Sequence, residues 1–158
     1  MKQLLRTLTH GIGLLFFVLT GFNLNAQLKE FVLFGKTGVQ MGTSTNVLSG
    51  KVGSNTLVTS TGTASFAGDI ISRGRVVLAN SNTVDGNIYA ENATNPAATG
   101  VVLQAGSNAL LKKSLFAKGD ISVGGGSVQG SVYTTGIYSG PLPNITPVQT
   151  NPVLHVYM

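Results

Sequence analysis

Asp69, Asp85, Arg73 and Arg75 are the residues of this chain whose types and spacing suggest chemistry. Clustered carboxylates that hold calcium, beside an Arg or Lys base, are the equipment of a polysaccharide lyase. The wider inventory is thin. The only acids are Glu30, Asp69, Asp85, Glu91 and Asp120, and the only histidines are His10 and His155, one near each end. With no cysteine in the chain, His-based triads and most zinc sites are excluded. Calcium asks for six or more oxygens, which Asp69 alone does not supply.

Whether the acids converge depends on the elements that carry them. Residues 84–90 read VDGNIYA, and the same phrase recurs as LSGKVGS at 48–54, FAGDIIS at 66–72, LKKSLFA at 111–117 and VQGSVYT at 128–134. Its last apolar residues form one column, Val52, Ile70, Ile88, Leu115 and Val132, at intervals of 18, 18, 27 and 17. Four residues earlier stands a second column: Leu48, Phe66, Val84, Leu111 and Val128. Glycine recurs two residues before the first column, at Gly50, Gly68, Gly86 and Gly130, where it eases a bend, and Lys113 interrupts it. Upstream of each phrase lies an alternating pair: Val39/Met41, Leu57/Thr59, Val76/Leu78, Val101/Leu103 and Ile121/Val123. Asn46, Asn82 and Asn108 fall at similar turn positions between pair and phrase.

Period-2 alternation inside a repeat of about 18 residues predicts an all-β fold, a right-handed parallel β-helix (β-solenoid) of about five coils. A single coil cannot bury its own apolar face, so coils stack about 4.8 Å apart and share strand hydrogen bonds. A β-sandwich would show hairpin turns and no inward column at this interval. The 27-residue interval carries AENATNPAATG at 90–100, which fits a loop expelled from one corner. The coils span 39–138. Residues 27–38, with Phe31 to Phe34, are expected to cap the first coil. Residues 139–158 hold four of the five prolines and are expected to form a linker or tail.

Placed on these coils, the candidate acids separate. Alternation turns Asp69 outward between Lys51 and Asn87, as a surface ion pair with Lys51, and sets Asp85 in a different outward column between Ala67 and Lys112. No catalytic residue, metal site or cofactor is expected. Thr43, Thr45, Thr59, Thr61 and Thr63 raise binding to ice through one flat face, but they are confined to the first two coils. Tyr89, Phe116 and Tyr133 share one column. They form either an outward stripe able to bind glycans or a partner, or a bend where the rings fill a corner. Ile71 in the same column favours the corner.

Composition and the chain ends bound the setting. The chain has 158 residues, 21 of them glycine, and only 9% are charged, while 42% are hydrophobic. Val, Thr, Gly and Asn suit short strands and tight turns, and regularly placed apolar residues exclude disorder. Residues 1–26 have a basic start, an apolar run IGLLFFVL at 12–19 and a small residue at Ala26, the layout of a secretory signal peptide. The run is too short to span a bilayer. Losing Lys2 and Arg6 would lower the net charge from +5 to +3, ordinary surface that does not indicate a nucleic-acid partner. The chain is therefore expected to be secreted or at the cell surface, with no membrane span after signal removal.

The runs FVLFGKTGVQMGTSTNVLSGKVGSNTLVTSTG, VVLANSNTVDGNIYAEN, DISVGGGSVQGSV and YSGP resemble the N-terminal repeat region of large secreted surface proteins of Bacteroidota-type bacteria, adhesin-like or ice-binding-like. The resemblance covers about residues 31–142. It implies a β-solenoid at the front of a longer multidomain chain and brings no catalytic residues. The coil pattern is also similar to that of bactofilins, which are cytosolic, whereas this chain opens on a signal peptide. The expected function is a non-enzymatic structural or adhesive module. Its expected partners are downstream domains of the same protein, surface glycans or another copy.

Overall fold

The computed structural model describes residues 30–93 and 100–145, together with the backbone of 149–150. Residues 1–26, expected as a signal peptide, both histidines and most of the 90–100 segment, expected as a loop, lie outside the described residues. Everything below belongs to the unit that begins at Phe31.

Short β-branched runs separated by Gly, Ser and Asn make strands of two to five residues. Each turn of the chain lays down one strand in each of three sheets. The first turn is β1 (Phe31–Gly35), β2 (Val39–Met41) and β3 (Thr45–Val47), and the second is β4 (Lys51–Ser54), β5 (Leu57–Ser60) and β6 (Ala64–Phe66). The third is β7 (Ile70–Ser72), β8 (Arg75–Leu78) and β9 (Thr83–Val84), and the fourth is β10 (Ile88–Ala90), β11 (Val101–Ala105) and β12 (Ala109–Leu111). The fifth is β13 (Leu115–Ala117), β14 (Asp120–Val123) and β15 (Gly126–Val128). Then come β16 (Val132–Thr134), β17 (Tyr138–Ser139) and β18 (Gln149–Thr150).

All pairings are parallel. Sheet A runs β1-β4-β7-β10-β13-β16-β18, sheet B runs β2 to β17 in six strands, and sheet C runs β3 to β15 in five. This is a parallel β-solenoid of about six turns. The extra turn comes from the two ends. Phe31–Gly35, expected as a cap, is a strand paired with β4. The proline-rich stretch continues the winding, because the Asn144 N–H donates to the Val128 carbonyl (2.9 Å) and β18 pairs with β16.

The core is three pairs of inward columns. In sheet A, Val52, Ile70, Ile88, Leu115 and Val132 stand in register and are buried. In sheet C the column is Val47, Phe66, Val84, Leu111 and Val128. Leu48, expected there, is 85% exposed. The reason lies in the corner. Four residues lie between Val47 and Val52, where three lie between Phe66 and Ile70, and the extra residue is absorbed beside Gly50 at a φ of 73°, a left-handed conformation that glycine adopts without strain.

Sheet B corrects two more expected pairs. The second turn buries Val58 and Ser60, leaving Leu57 exposed and Thr59 outward; Ser60 Oγ accepts the Ala79 N–H at 3.0 Å. In the fourth turn Leu103 and Ala105 take the column positions, because a register shift between Val101 and Leu103 displaces Val101. The three asparagines do not share a position either. Asn46 faces outward and Asn82 is buried, with its Nδ2 donating to the Ala79 carbonyl at 2.5 Å. The common left-handed turn position, three residues before the inward Val47, Val84 and Leu111, holds Ser44, Ser81 and Asn108 at φ values of 61°, 59° and 58°.

Gly86 serves proximity rather than bending. A Cβ there would lie 2.3 Å from the Gly68 carbonyl carbon, and one at Gly68 would lie 1.9 Å from the Gly50 carbonyl oxygen. Successive turns thus touch backbone to backbone at this corner.

Candidate functional site: an aromatic ladder on one face

With the inner columns committed to the core, any recognition falls to the outward residues of the three sheets. In sheet B these are Gln40, Thr59, Val77, Gln104, Ser122 and Ser139. In sheet C they are Asn46, Ser65, Thr83, Leu110 and Ser127. Both are polar with a single aliphatic interruption.

Sheet A differs. Its outward column runs Phe34, Gly53, Ile71, Tyr89, Phe116 and Tyr133. Tyr89 and Phe116 stack with centroids 4.8 Å apart and planes within 8° of parallel. Phe116 and Tyr133 stack at 4.7 Å and 2°. The strand spacing of a parallel sheet imposes this, since identical rotamers on adjacent strands bring rings into offset contact about every 4.8 Å. The expected corner is therefore corrected: each ring is the central, half-buried residue of a strand whose neighbours point inward. The preference for a corner rested on Ile71, which is buried at 8% exposure although it too lies on the outer face.

The column continues toward the first turn in a way the sequence hides. Gly53 leaves a gap, and the Phe31 ring fills it: a Cβ at Gly53 would lie 2.4 Å from that ring, and Phe34 packs edge-on against Phe31 at 5.5 Å. The available signal was a glycine where every other turn carries a large side chain.

Two polar borders flank the ladder. On the side facing sheet C, the Asp69 carboxylate accepts the Asn87 N–H (2.8 Å), Asn87 Oδ1 accepts the Ser114 N–H (3.2 Å), and Ser114 Oγ accepts the Ser131 N–H (3.1 Å). Each side chain thus bonds the turn above it. Glu91 sits on the side facing sheet B, 3.3 Å from Lys118 and 3.8 Å from Arg73. Burial raises the Tyr89 phenol above its ordinary pKa, and the Asp69 charge adds to the effect while Lys51 opposes it. The Tyr89 end of the ladder thus holds a neutral hydroxyl at physiological pH.

The four residues of the lyase expectation go to separate partners. Asp69 bonds Asn87, Asp85 pairs with Lys112 at 2.8 Å, Arg73 lies beside Glu91, and the Arg75 Nε–H donates to the Val101 carbonyl at 3.1 Å. Among the described residues no cluster of three His, Cys, Asp or Glu side chains is placed to hold a metal. Thr59 stands between Gln40 and Val77, so threonine does not repeat along sheet B, and the Thr61 N–H donates to the Met41 carbonyl at a corner. Comparison with protein-family models, curated proteins and solved structures finds no significant match to this chain.

Proposed function

We propose that this chain is a non-enzymatic structural or adhesive β-solenoid module, secreted or displayed at the cell surface as the front part of a larger surface protein of the adhesin-like kind. The observation that carries this reading is the contrast among the three faces. Two are mostly polar, and the third presents a column of apolar and aromatic residues whose stacked rings, Tyr89, Phe116 and Tyr133, are only half-buried. An exposed apolar strip held on a rigid scaffold is what a contact surface requires. Other exposed apolar side chains, such as Leu48, Ile137 and Leu142, lie outside the outward columns of the three sheets. The module works by display: the coil holds side chains at a fixed pitch, and its end strands offer unpaired backbone groups to a following domain or another copy. Protease shaving of intact cells producing the full chain tests the location. Release of rod peptides such as those around Arg73 and Lys118 without lysis is expected, and protection until lysis overturns the reading.

A second reading is binding to a carbohydrate surface through sheet A. The bordering Asn87, Ser114 and Ser131 groups beside an apolar spine favour it over binding to ice, for which no threonine ladder extends along the coil. A glycan array separates the two adhesive modes, with a glycan signal lost in Phe116→Ser expected for the second.

A further inference from the structure

We infer that the Tyr89–Phe116–Tyr133 ladder is a binding site for a flat, elongated, conjugated aromatic molecule lying along the solenoid axis. The proposal does not depend on where the chain resides or on what else it adheres to.

Ring orientation is the starting point. The rings are stacked face to face at 4.8 and 4.7 Å with planes 8° and 2° from parallel. Their faces are therefore turned to one another, and solvent meets their edges. An aromatic edge carries the positive part of the ring quadrupole and a face the negative part. The C–H parts of three aligned edges form a comb of positive rims, broken only at the Tyr89 and Tyr133 hydroxyls, and its best complement is the negative face of a planar π system. Each rim would make an edge-to-face contact with it, worth about 0.5–1.5 kcal/mol beyond area burial. The comb extends over two ladder steps, so the ligand needs at least two conjugated ring systems in line.

Other occupants fit less well. An extended peptide adds to a sheet through an unpaired backbone edge, and β7, β10, β13 and β16 each pair on both sides. A second copy of the chain needs roughly 800 Å² per partner for a stable interface. A strip about one strand long, roughly 10 Å at 3.3 Å per residue, does not provide that over three turns. Saccharide stacking uses ring faces, which the ladder turns to one another, so a glycan on sheet A would be held by the polar border beside the spine and leave the ring edges to a flat ligand. Borders of Asn87, Ser114 and Ser131 on one side and Glu91 with Lys118 on the other keep the ligand centred on the spine.

Diphenylhexatriene, a flat, neutral molecule with two rings joined by a conjugated chain, is a suitable probe. It is titrated into the full chain after isolation of the monomeric fraction by size exclusion, with fluorescence and circular dichroism read together. A saturable rise is expected, with affinity weakened at least fivefold in Phe116→Ser, which splits the comb, and two- to threefold in Tyr133→Ser, which shortens it. Gln104→Ser, on the outer face of sheet B, should bind as the unaltered chain does. Absence of saturable binding to the folded chain overturns the proposal, as does affinity unchanged in Tyr133→Ser or lowered equally in Gln104→Ser. Tyr133→Ser carries the test if Phe116→Ser does not fold.

Discussion

The outer faces of sheets A and B are built on the same interior and end in opposite surfaces. Behind both stand columns of buried aliphatic residues, Ile70–Ile88–Leu115 in one and Val76–Leu103–Ile121 in the other, all fully buried or nearly so. In front, sheet A stacks Tyr89, Phe116 and Tyr133, while sheet B sets out Val77, Gln104 and Ser122. The difference separates two roles that alternation interleaves in one strand. Inward residues hold the turns together whatever face they serve, and outward residues are free to differ from face to face. Parallel in-register pairing then amplifies the difference, because a residue type repeated at one position becomes a continuous column.

The largest effect should come from breaking the interior that both faces share. Ile88→Asp places an unpaired charge at a fully buried position and should cost more than about 4 kcal/mol, abolishing the fold. Tyr89→Asp, one residue on and outward, should leave a folded chain; thermal unfolding followed by circular dichroism distinguishes them, and equal melting would refute the inward–outward assignment.

Next comes the register of the first corner. Val47→Ser removes a buried side chain and should lose about 2 kcal/mol, whereas Leu48→Ser at the exposed neighbour should stay within about 0.5 kcal/mol. Denaturant midpoints measure both. At the glycine corner, Gly86→Ala forces a methyl into the Gly68 backbone and should destabilise by about 1–3 kcal/mol. Gly125→Ala, whose nearest neighbour would be 3.7 Å away, should be close to neutral in the same measurement.

The two faces are then compared directly. Phe116→Ala removes both stacked contacts and should cost about 1–3 kcal/mol, at 0.5–1.5 for each pair. Gln104→Ala should cost less than about 0.5 kcal/mol. Similar losses would mean that the ladder is no more than decoration of the coil.

The smallest effect is the pH dependence. Tyr89 and Tyr138 both have phenol pKa values raised above 10.0 by burial. The folded chain then holds protons that the unfolded chain has released, so their contribution is complete below pH 10 and is lost as pH rises through the folded values. Melting temperature should be flat to about pH 9 in this respect and fall above 10. Tyr89→Phe, which keeps the ring and removes the titrating group, should reduce that fall.

Much of this is legible in the sequence. The column Val52, Ile70, Ile88, Leu115 and Val132 is visible because β-branched and aliphatic residues recur at nearly constant spacing. Asp69 between Lys51 and Asn87, and Asp85 beside Lys112, follow from counting outward positions along it. What failed did so at irregular corners and polar substitutions. Leu48 and Val47 are both apolar neighbours, and only an extra corner residue decides which one turns inward. Ser60 occupies a column otherwise filled by Met41, Leu78, Ala105 and Val123, and a hydroxyl that accepts a backbone N–H gives no hydropathy signal. Val101 was displaced by a register shift that composition does not report.

By itself the sequence determined the class of fold, the inward columns of the repeated phrase and the separation of the candidate acids, because a period of two within a period near 18 leaves few other ways to bury those residues. Tertiary structure alone decided that Tyr89, Phe116 and Tyr133 lie outside in a stacked ladder, that Phe31 covers Gly53, and that Phe31–Gly35 and Gln149–Thr150 join the winding. Each of these depends on the position of a neighbouring turn tens of residues away in some cases, and local alternation carries no record of what stands above or below a strand.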